Sequence, residues 1–227
     1  MNEPIPTVPE AETAVRMLEV AERLAQTRGF NGFSYADIAA ELGITKASLH
    51  YHFASKSELG RALILRYTRN FDAALAAIAG DSAHRLDRYV QLYEQVLVKD
   101  RMCLCGMLAA EYSTLPAEMQ AELRRFFDKN ETWLASTLNG GRAAGDLRFE
   151  GSALEAARVL TAGLEGAMLL ARSYEEPARF KVIANRLVAE LGATRAAGAS
   201  KRDAKRAGRS ARATLATATK RKSRGQQ

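Results

Sequence analysis

Three features of the sequence predict an all-α fold. Apolar residues recur at spacings of three and four along nearly all of the stretch from residue 10 to residue 191, and no sustained alternation with a period of two interrupts them. Serine, threonine and proline stand where such helices would begin, and glycines stand where several would end. These signals place about nine helices in a small N-terminal unit and a larger unit that follows it. The first predicted helix carries an apolar stripe from Ala14 to Ala25, and the others are 34–42, 45–51, 56–79, 83–99, 102–112, 116–139, 152–174 and 177–191.

The first three helices have clear local signals. The apolar stripe of the first ends at the two glycines of RGFNGF, which break a helix. Ser34 can cap the second helix, with Asp37 three residues later as in a capping box. Gly43 then allows a turn, and Thr45 can cap the third helix.

The later helices begin at residues of the same kind. Ser55 is a good N-cap for the fourth helix, with Glu58 three positions later, and Pro116 fits the first turn of the seventh. The segment NGGRAAGD, from residue 139, is predicted to be a loop before the eighth helix. The segment RMCLCGMLAAEYSTLP is apolar on nearly every side, so the sixth helix is predicted to be central.

The composition fits a globular protein of the cytoplasm. Apolar residues make up 47% of the chain, which is enough for a core. No apolar run approaches the roughly 20 residues that a bilayer-spanning helix needs. The start, MNEPIPTVPEAE, is acidic and rich in proline, unlike a signal peptide. Two cysteines one residue apart suit a reducing compartment, so a cytoplasmic location is expected.

Basic charge is concentrated in residues 192–227. This segment has eleven Lys or Arg and one acid, a net charge of +10, whereas the remainder has 22 bases and 25 acids, a net charge of −3. It contains no aromatic residue and one large aliphatic residue, Leu215, so it is predicted to be disordered. Two interpretations are open: a mobile arm that lies near a polyanion, or a solubilising terminus.

The segment YADIAAELGITKASLHYHF, residues 35–53, has the helix lengths and the glycine-containing turn of a helix-turn-helix. Its apolar positions can pack on the first helix, which leaves hydrogen-bonding side chains outward on the third. A helix N-terminus with a hydroxyl and a lysine suits phosphate oxygens, and a short polar helix fits the major groove of DNA. The outward residues are Thr45, Lys46, Ala47, Ser48, His50, Tyr51 and His52.

The spacing of His50 and His52 argues against a metal site. Residues two apart on a helix are separated by roughly 200°, so they cannot bind one ion together. His84 is distant in sequence, and no pattern of cysteines or acids supplies the usual ligand spacing. No metal and no cofactor are therefore expected. A purely structural helical hairpin is the alternative, but it does not account for the hydroxyl-rich outward face.

The segment MLEVAERLAQTRGFNGFSYADIAAELGITKASLHYHFASKSEL resembles the DNA-binding domain of the tetracycline-repressor (TetR) family. It has the first helix, the Gly-aromatic turn, the hydroxyl residue and the IA…G element of the family. The patterns S/T-K-x-x-L-Y-x-H/Y-F and sK-x-x-L follow in the same order. The resemblance is close from about residue 14 to residue 63, and the nine-helix plan extends it over the rest.

This resemblance implies that the seven outward residues of the third helix face DNA. It also implies that Lys56 contacts a backbone phosphate and that Ser34 or Tyr35 lies near flanking phosphates. Ala47 stands where glycine is common in the family, and His50 stands where tyrosine is common. Both differences bear on which operator sequence the protein recognises. The implied division is a disordered N-terminus (1–9), a helix-turn-helix domain (10–55), a helical effector-binding and dimerisation domain (56–191) and a basic disordered tail (192–227).

The last two helices offer a surface for dimerisation, and the resemblance implies that they are used for it. Each carries an apolar stripe, and Gly163 and Gly166 permit close contact between helices. The alternative is that both stripes pack on the chain's own core. The stripe residues are Leu154, Ala157, Thr161, Leu164, Met168, Phe180, Ile183 and Leu187.

Aromatic and sulfur-containing residues of the central helices are candidates to line an effector pocket. Residues of this kind more often form plain core, so the two interpretations stand side by side. The resemblance implies a small-molecule pocket but does not identify the effector. The candidates are Tyr67, Phe71, Tyr89, Tyr93, Cys103, Met107, Phe126, Phe127 and Trp133.

Cys103 and Cys105 suggest a second mechanism. Two residues apart on a helix, they point to different sides, so neither a disulfide between them nor a shared metal is expected. A buried, inert cysteine is the ordinary outcome. However, Lys99 and Arg101 lie nearby in sequence and could lower a thiol pKa, which would make one cysteine a sensor of electrophiles or oxidants.

Together these observations predict a repressor that binds a palindromic DNA operator as a homodimer and is released by a small-molecule effector. The alternatives are a cysteine-based sensor and a mainly non-specific architectural DNA binder that uses the basic tail. No enzyme is predicted, because the chain contains no GxSxG, HExxH or comparable motif. The segment GRAAGD lacks the Lys-Ser/Thr ending of a phosphate-binding loop.

The basic tail is expected to strengthen binding to any DNA sequence. Removing residues 192–227 takes away eleven cations, so the affinity for random duplex should fall and its dependence on salt should flatten. Specific recognition by the third helix should survive. Titration of random duplex from low to moderate salt checks this prediction, and an unchanged slope would show that the tail takes no part in binding.

Overall fold

The computed structural model describes residues 10–192, and this part of the chain contains nine α-helices, one short 3-10 helix (Tyr112–Thr114) and no strand. The predicted all-α fold is confirmed. The predicted disorder of residues 1–9 and of the tail from residue 193 lies outside the described residues. The helices are α1 (Glu10–Arg28), α2 (Tyr35–Leu42), α3 (Lys46–His52), α4 (Lys56–Ala76), α5 (Ser82–Leu97), α6 (Leu104–Ala110), α7 (Ala117–Ala144), α8 (Ala153–Ser173) and α9 (Pro177–Glu190).

Caps of the predicted kind begin several helices. The hydroxyl oxygens of Thr45 and Ser55 each accept a hydrogen bond from the backbone N–H three residues later, at 3.2 and 3.1 Å. Ser152 and Glu155 form a complete capping box at the start of α8. Each cap satisfies an N–H group that the helix leaves without a partner, so these starting points are determined locally.

The helix α7 is longer than predicted, and α4 and α6 are shorter. The expected loop from residue 139 is helical as far as Ala144, and Gly145 ends α7 with a φ of 79°. Gly141 permits this extension, because a Cβ at that position would lie 2.5 Å from Leu147 and 2.7 Å from Ser82. The extra turn is therefore fixed by close packing with α5 and with the segment after α7.

The helices form two units joined by α4 and α6. In the N-terminal unit, α2 packs on α1 and on α3. In the larger unit, α8 packs extensively on both α7 and α9, and α5 contacts all three. As predicted, α6 is central: it contacts α1, α4 and α7, and Leu104, Cys105 and Leu108 are fully buried. Within residues 10–192, no helix is both long and apolar enough to cross a membrane.

Polar contacts fasten the N-terminal unit to the rest of the molecule. Arg66 on α4 pairs with Glu19 and Glu22 on α1, with N–O distances of 3.0 and 2.6 Å. Arg172 on α8 donates to two carbonyl oxygens in the last turn of α1, at 3.0 and 2.7 Å. Because these carbonyls have no partner within the helix, Arg172 acts as a C-terminal cap for α1.

Candidate DNA-binding surface and interior effector site

The helix α3 is held so that one side of it is exposed. Gly43, in the turn after α2, has a φ of 67°, a conformation that favours glycine. Leu49, on the inward side of α3, is fully buried. Ser48 and His52 are half-buried. Tyr51 is 72% exposed, and its ring lies edge-on to His52 with the ring centroids 5.2 Å apart. The exposed members of the predicted DNA-contacting set on this helix and its cap are Thr45, Lys46, Ala47, His50 and Tyr51.

Neighbouring residues orient His50. Its ring centroid lies 4.8 Å from that of Tyr35, and its Nδ1 lies 3.3 Å from the carbonyl oxygen of Ala54. These contacts hold the imidazole near the C-terminal end of α3. Lys46 and Tyr51 are therefore the long side chains of this face that are best placed to reach DNA.

The side chains of Tyr35 and Lys56 are not placed for the predicted phosphate contacts. Tyr35 is buried, and its hydroxyl donates to the carbonyl oxygen of Phe53 at 2.8 Å. Lys56 donates to the carbonyl oxygens of Phe30 and Phe33 at 2.6 and 2.5 Å. Its ammonium lies 4.7 and 4.5 Å from the centroids of these two rings, and burial lowers the pKa of Lys56. Both side chains hold the N-terminal unit together, which corrects the prediction for their side chains.

Ser34 remains exposed at the start of α2. Its N–H and its hydroxyl donate to the carboxylate of Asp37 at 2.8 and 2.7 Å, and these hydrogen bonds lower the pKa of Asp37. A contact between Ser34 and a flanking phosphate stays a prediction.

The larger unit brings the predicted aromatic residues together in its interior. Phe71 is at the centre, with its ring centroid 5.4 to 6.4 Å from those of Tyr67, Tyr89, Tyr93 and Phe126. The remaining rings extend this cluster, because Trp133 stacks on Tyr89 at 5.7 Å and Phe127 lies 5.3 Å from Phe126. The hydroxyl of Tyr67 lies 3.8 Å from the sulfur of Cys103, and Met107 is half-buried against the core. We call the seven rings the aromatic cluster: Tyr67, Phe71, Tyr89, Tyr93, Phe126, Phe127 and Trp133.

Glu165 on α8 is a buried acid that the sequence analysis missed. Although the residue as a whole is half-buried, its Oε1 has less than 1 Å² of accessible surface and no hydrogen-bond partner among the described residues. The thiol of Cys103 donates to the carboxylate, and burial raises the pKa of Glu165 to about 7. Gly106 makes room for it, since a Cβ there would lie 2.2 Å from Oε2. The sequence does contain a signal of this buried acid, because Glu165 lies about one helical turn after Thr161 on a stripe that is otherwise apolar.

The raised pKa of Glu165 predicts a pH-dependent stability. The ordinary carboxyl pKa is about 4.3, so between this pH and the folded-state pKa the folded protein holds a proton that the unfolded chain releases. The free energy of unfolding should therefore fall as the pH rises through this window, by roughly 3–4 kcal/mol. Glu165→Gln removes this titration, so the variant should be more stable than the parent at pH 8 and close to it at pH 5.

Urea unfolding of both proteins at pH 5 and pH 8 measures this effect. The variant Glu150→Gln, which changes an exposed carboxyl, is the matched control and should follow the parent at both values. An equal pH dependence for Glu165→Gln and the parent would mean that the Glu165 carboxyl is solvated as in the unfolded chain.

The surroundings of the cysteines contradict the expectation that nearby basic residues activate them. Burial raises the pKa of both thiols well above the ordinary value, and Glu165 raises that of Cys103 further. Lys99 is exposed and does not counter these effects. Because the thiolate is the nucleophile, these raised pKa values argue against a resting thiolate at either buried cysteine, and a sensing role for Cys103 or Cys105 stays a prediction. No group of three or more potential metal ligands occurs within the described residues.

The predicted dimerisation stripe is mostly wrong, because it faces the protomer's own core. Five of its eight residues are at most 5% exposed, Ile183 and Leu187 are half-buried, and Leu154 alone is 40% exposed. The five buried residues are Ala157, Thr161, Leu164, Met168 and Phe180.

The other side of the α8–α9 pair carries apolar residues in contact with solvent, which we call the outer face. The outer face comprises Val159, Leu169, Leu170 and Val182, which are 63, 48, 51 and 70% exposed.

An exposed helix on a three-helix unit, followed by a helical body with a buried aromatic interior, defines a helix-turn-helix regulator of transcription. The family model "Bacterial regulatory proteins, tetR family" matches residues 17–63, and "Tetracyclin repressor-like, C-terminal domain" matches residues 83–187. The chain belongs to the TetR family. Membership confirms the predicted role in DNA-binding regulation and the prediction that the chain is not an enzyme.

Individual relatives agree with this assignment. The HTH-type transcriptional repressor NemR of Escherichia coli strain K12 is 28% identical over 179 residues, which are 73% of this chain and 88% of NemR. A TetR-family regulator from Agrobacterium tumefaciens is 33% identical, with a TM-score of 0.78 over 80% of this chain and 98% of that one. A transcriptional regulator from Saccharomonospora viridis, solved in complex with choline, is 29% identical, with a TM-score of 0.67 over 78% of this chain and 94% of that one.

Proposed function

We propose that this protein is a cytoplasmic repressor that binds a palindromic operator as a homodimer and releases it when a small molecule enters the aromatic cluster. The observation that carries this proposal is the exposed α3, held on a unit that α4 and α6 connect to a buried interior. In this interior the Oε1 of Glu165 has no hydrogen-bond partner among the described residues. One α3 per chain contacts one half-site, so two chains are needed for a palindrome.

The structure of the Saccharomonospora viridis relative supports a small organic effector. That protein is 29% identical to this chain and was solved with choline. We infer that the corresponding helical unit of this protein also takes up a small molecule. The half-buried residues of the aromatic cluster, Phe71, Phe127 and Trp133, are the side chains that rearrangement would most easily displace.

Two contacts can transmit a change in the interior to α3. The first is α4, which begins directly after the DNA-binding unit and carries Tyr67 and Phe71 of the aromatic cluster. The second is α6, which begins directly after Cys103, near Glu165, and ends beside Glu111. The carboxylate of Glu111 accepts a hydrogen bond from the backbone N–H of Phe30 at 2.7 Å, in the turn between α1 and α2. Displacement of α6 would therefore pull on the DNA-binding unit directly.

Glu111→Ala is expected to loosen this connection. The N–H of Phe30 and that of Asn31 lose their acceptor, so their hydrogen exchange should accelerate. An effector typically lowers the affinity of an allosteric protein 5–150-fold. In Glu111→Ala the operator affinities with and without effector should become nearly equal. Hydrogen exchange and operator titration with and without effector measure both effects. Glu150→Ala removes an exposed carboxylate elsewhere and should change neither; unchanged exchange at Phe30 in Glu111→Ala would contradict the proposed connection.

The proposed function is tested by selecting DNA from a random pool with the full-length protein. The expected product is a palindrome that is bound much more tightly than random duplex at moderate salt. Fluorescence anisotropy on this operator, in the presence of a library of small molecules, should then find compounds that release it. Equal affinity for selected and random DNA would instead support the architectural binder that uses the basic tail.

A further inference from the structure

We propose that the effector is an organic cation, a protonated or quaternary amine, whose charge pairs with the carboxylate of Glu165 beside the aromatic cluster. This inference rests on the proposed function and adds the chemical class of the ligand and the residue that recognises it.

The first observation is the state of the Glu165 side chain. Its Oε1 is sealed from solvent and has no hydrogen-bond partner among the described residues, while Cys103 provides one weak thiol donor. A buried carboxylate normally accepts several hydrogen bonds or pairs with a cation, because water no longer solvates it. Glu165 therefore keeps an unused acceptor in the interior of the helical unit.

The second observation is that the described residues supply no charge that compensates the Glu165 carboxylate. Burial dominates the pKa of Glu165, and the Cys103 thiol is the opposing influence; no lysine or arginine of the described residues contributes. Arg85 lies at the aromatic cluster, with its guanidinium 4.9 Å from the ring centroid of Trp133, but it is not among the groups that shift the pKa of Glu165. The positive charge that would stabilise ionised Glu165 has to come from outside the described part of the chain.

The third observation is the kind of side chain that surrounds the carboxylate. Burial raises the pKa of the Tyr67, Tyr89 and Tyr93 phenols, and the nearby carboxylate of Glu165 raises each of them further. The faces of aromatic rings carry partial negative charge and attract ammonium groups, most strongly where water is excluded. The carboxylate and these three tyrosine rings therefore favour a cation over an anion on the Glu165 side of the aromatic cluster, away from the Arg85 guanidinium at Trp133.

The room for Glu165 is provided by a specific residue. On α6, Gly106 faces the carboxylate, and any side chain at this position would collide with Oε2. The same helix ends next to Glu111, whose carboxylate accepts a hydrogen bond from the N–H of Phe30 in the turn between α1 and α2. A cation drawn to Glu165 would thus act on the element that connects the interior to the DNA-binding unit.

The experiment uses sets of compounds with the same shape and different charge, at pH 8, where Glu165 is mostly ionised. The hexyl, benzyl and 2-phenylethyl skeletons are each tested as the amine, the alcohol and the carboxylate. Thermal shift and operator anisotropy are measured with the full-length parent protein, with Glu165→Gln and with the control Glu150→Gln. Calorimetry in two buffers at pH 7 counts the protons exchanged on binding.

The amines should stabilise the parent and weaken operator binding at least about fivefold, whereas the matched alcohols and carboxylates should not. Binding of an amine at pH 7 should release protons, because the cation favours ionised Glu165. Glu165→Gln should bind the amines about tenfold more weakly or worse and lose the proton release, and Glu150→Gln should behave like the parent. The charge series in the parent protein remains decisive even if Glu165→Gln does not fold.

Two results would overturn the inference in different ways. If an alcohol or a carboxylate releases the operator as well as its amine does, the protein responds to ligands as proposed, but not through cation recognition. If no amine binds the parent while the operator is still bound specifically, Glu165 is a structural acid and the effector is of another class. Failure to select any operator would instead contradict the proposed function.

Discussion

Lys46→Ala and Tyr51→Ala should each weaken operator binding by at least about tenfold while leaving helical content and dimerisation unchanged. Both residues are exposed on α3, and Tyr51 is the most exposed large hydrophobic residue of the DNA-binding unit, at 72%. A good side-chain contact to a base is worth about 1–3 kcal/mol, and a dimer would make each contact twice. Fluorescence anisotropy with the selected operator measures the loss, and circular dichroism and sedimentation check the fold and the assembly.

Matched controls separate DNA contact from a general change of surface. Lys99→Ala removes an exposed lysine just after α5, and Tyr174→Ala removes an exposed tyrosine just after α8. Both positions are far from α3 in the sequence. These variants should bind the operator like the parent. If the two α3 variants also bind like the parent, another surface contacts the DNA.

Replacing Leu169 and Leu170 together by glutamate should abolish the dimer. These side chains form part of the outer face, and burying them between two copies would stabilise association through apolar contact. Charged residues there would have to be desolvated without partners. A monomer carries a single recognition helix, so operator affinity should fall by roughly 10²–10⁴-fold, the usual gain from linking two binding units.

Sedimentation and operator binding of the double variant provide the check. Leu65→Glu, which charges a 36% exposed leucine on α4, is the control and should remain dimeric. A double variant that stays dimeric would show that the dimer uses a different surface, whereas a monomer that binds the operator at full strength would contradict the need for two recognition helices.

The parts of the fold that the sequence predicted are those fixed by local interactions. Thr45 and Ser55 cap the helices that follow them by accepting hydrogen bonds from residues three positions later, so their effect is predictable from spacing alone. The extension of α7 is not predictable in this way. A side chain at Gly141 would collide with Ser82 and Leu147, which are its neighbours only in the tertiary structure.

The site was predictable where one face of a helix is polar and the other apolar. On α3 this contrast identified the outward residues. On α8 both faces are apolar, and periodicity does not tell which one packs inward. The pattern therefore predicts the stripe with Leu164 and Met168 as a dimer surface, whereas the structure buries that stripe and exposes the outer face with Val159. The role of Lys56 was missed for a related reason, since its carbonyl partners lie more than twenty positions earlier in the chain.

Hydroxyl-radical footprinting of the protein on its selected operator tests the central claim, that two copies of this chain place two α3 helices on one face of a duplex. The expected pattern is two protected segments related by a dyad, with centres about 34–36 Å apart or a multiple of this, and with equivalent sequence in each. Lys46→Ala should weaken protection in both segments equally. A single asymmetric protected segment, or protection that spreads along the DNA without regard to sequence, would contradict the account.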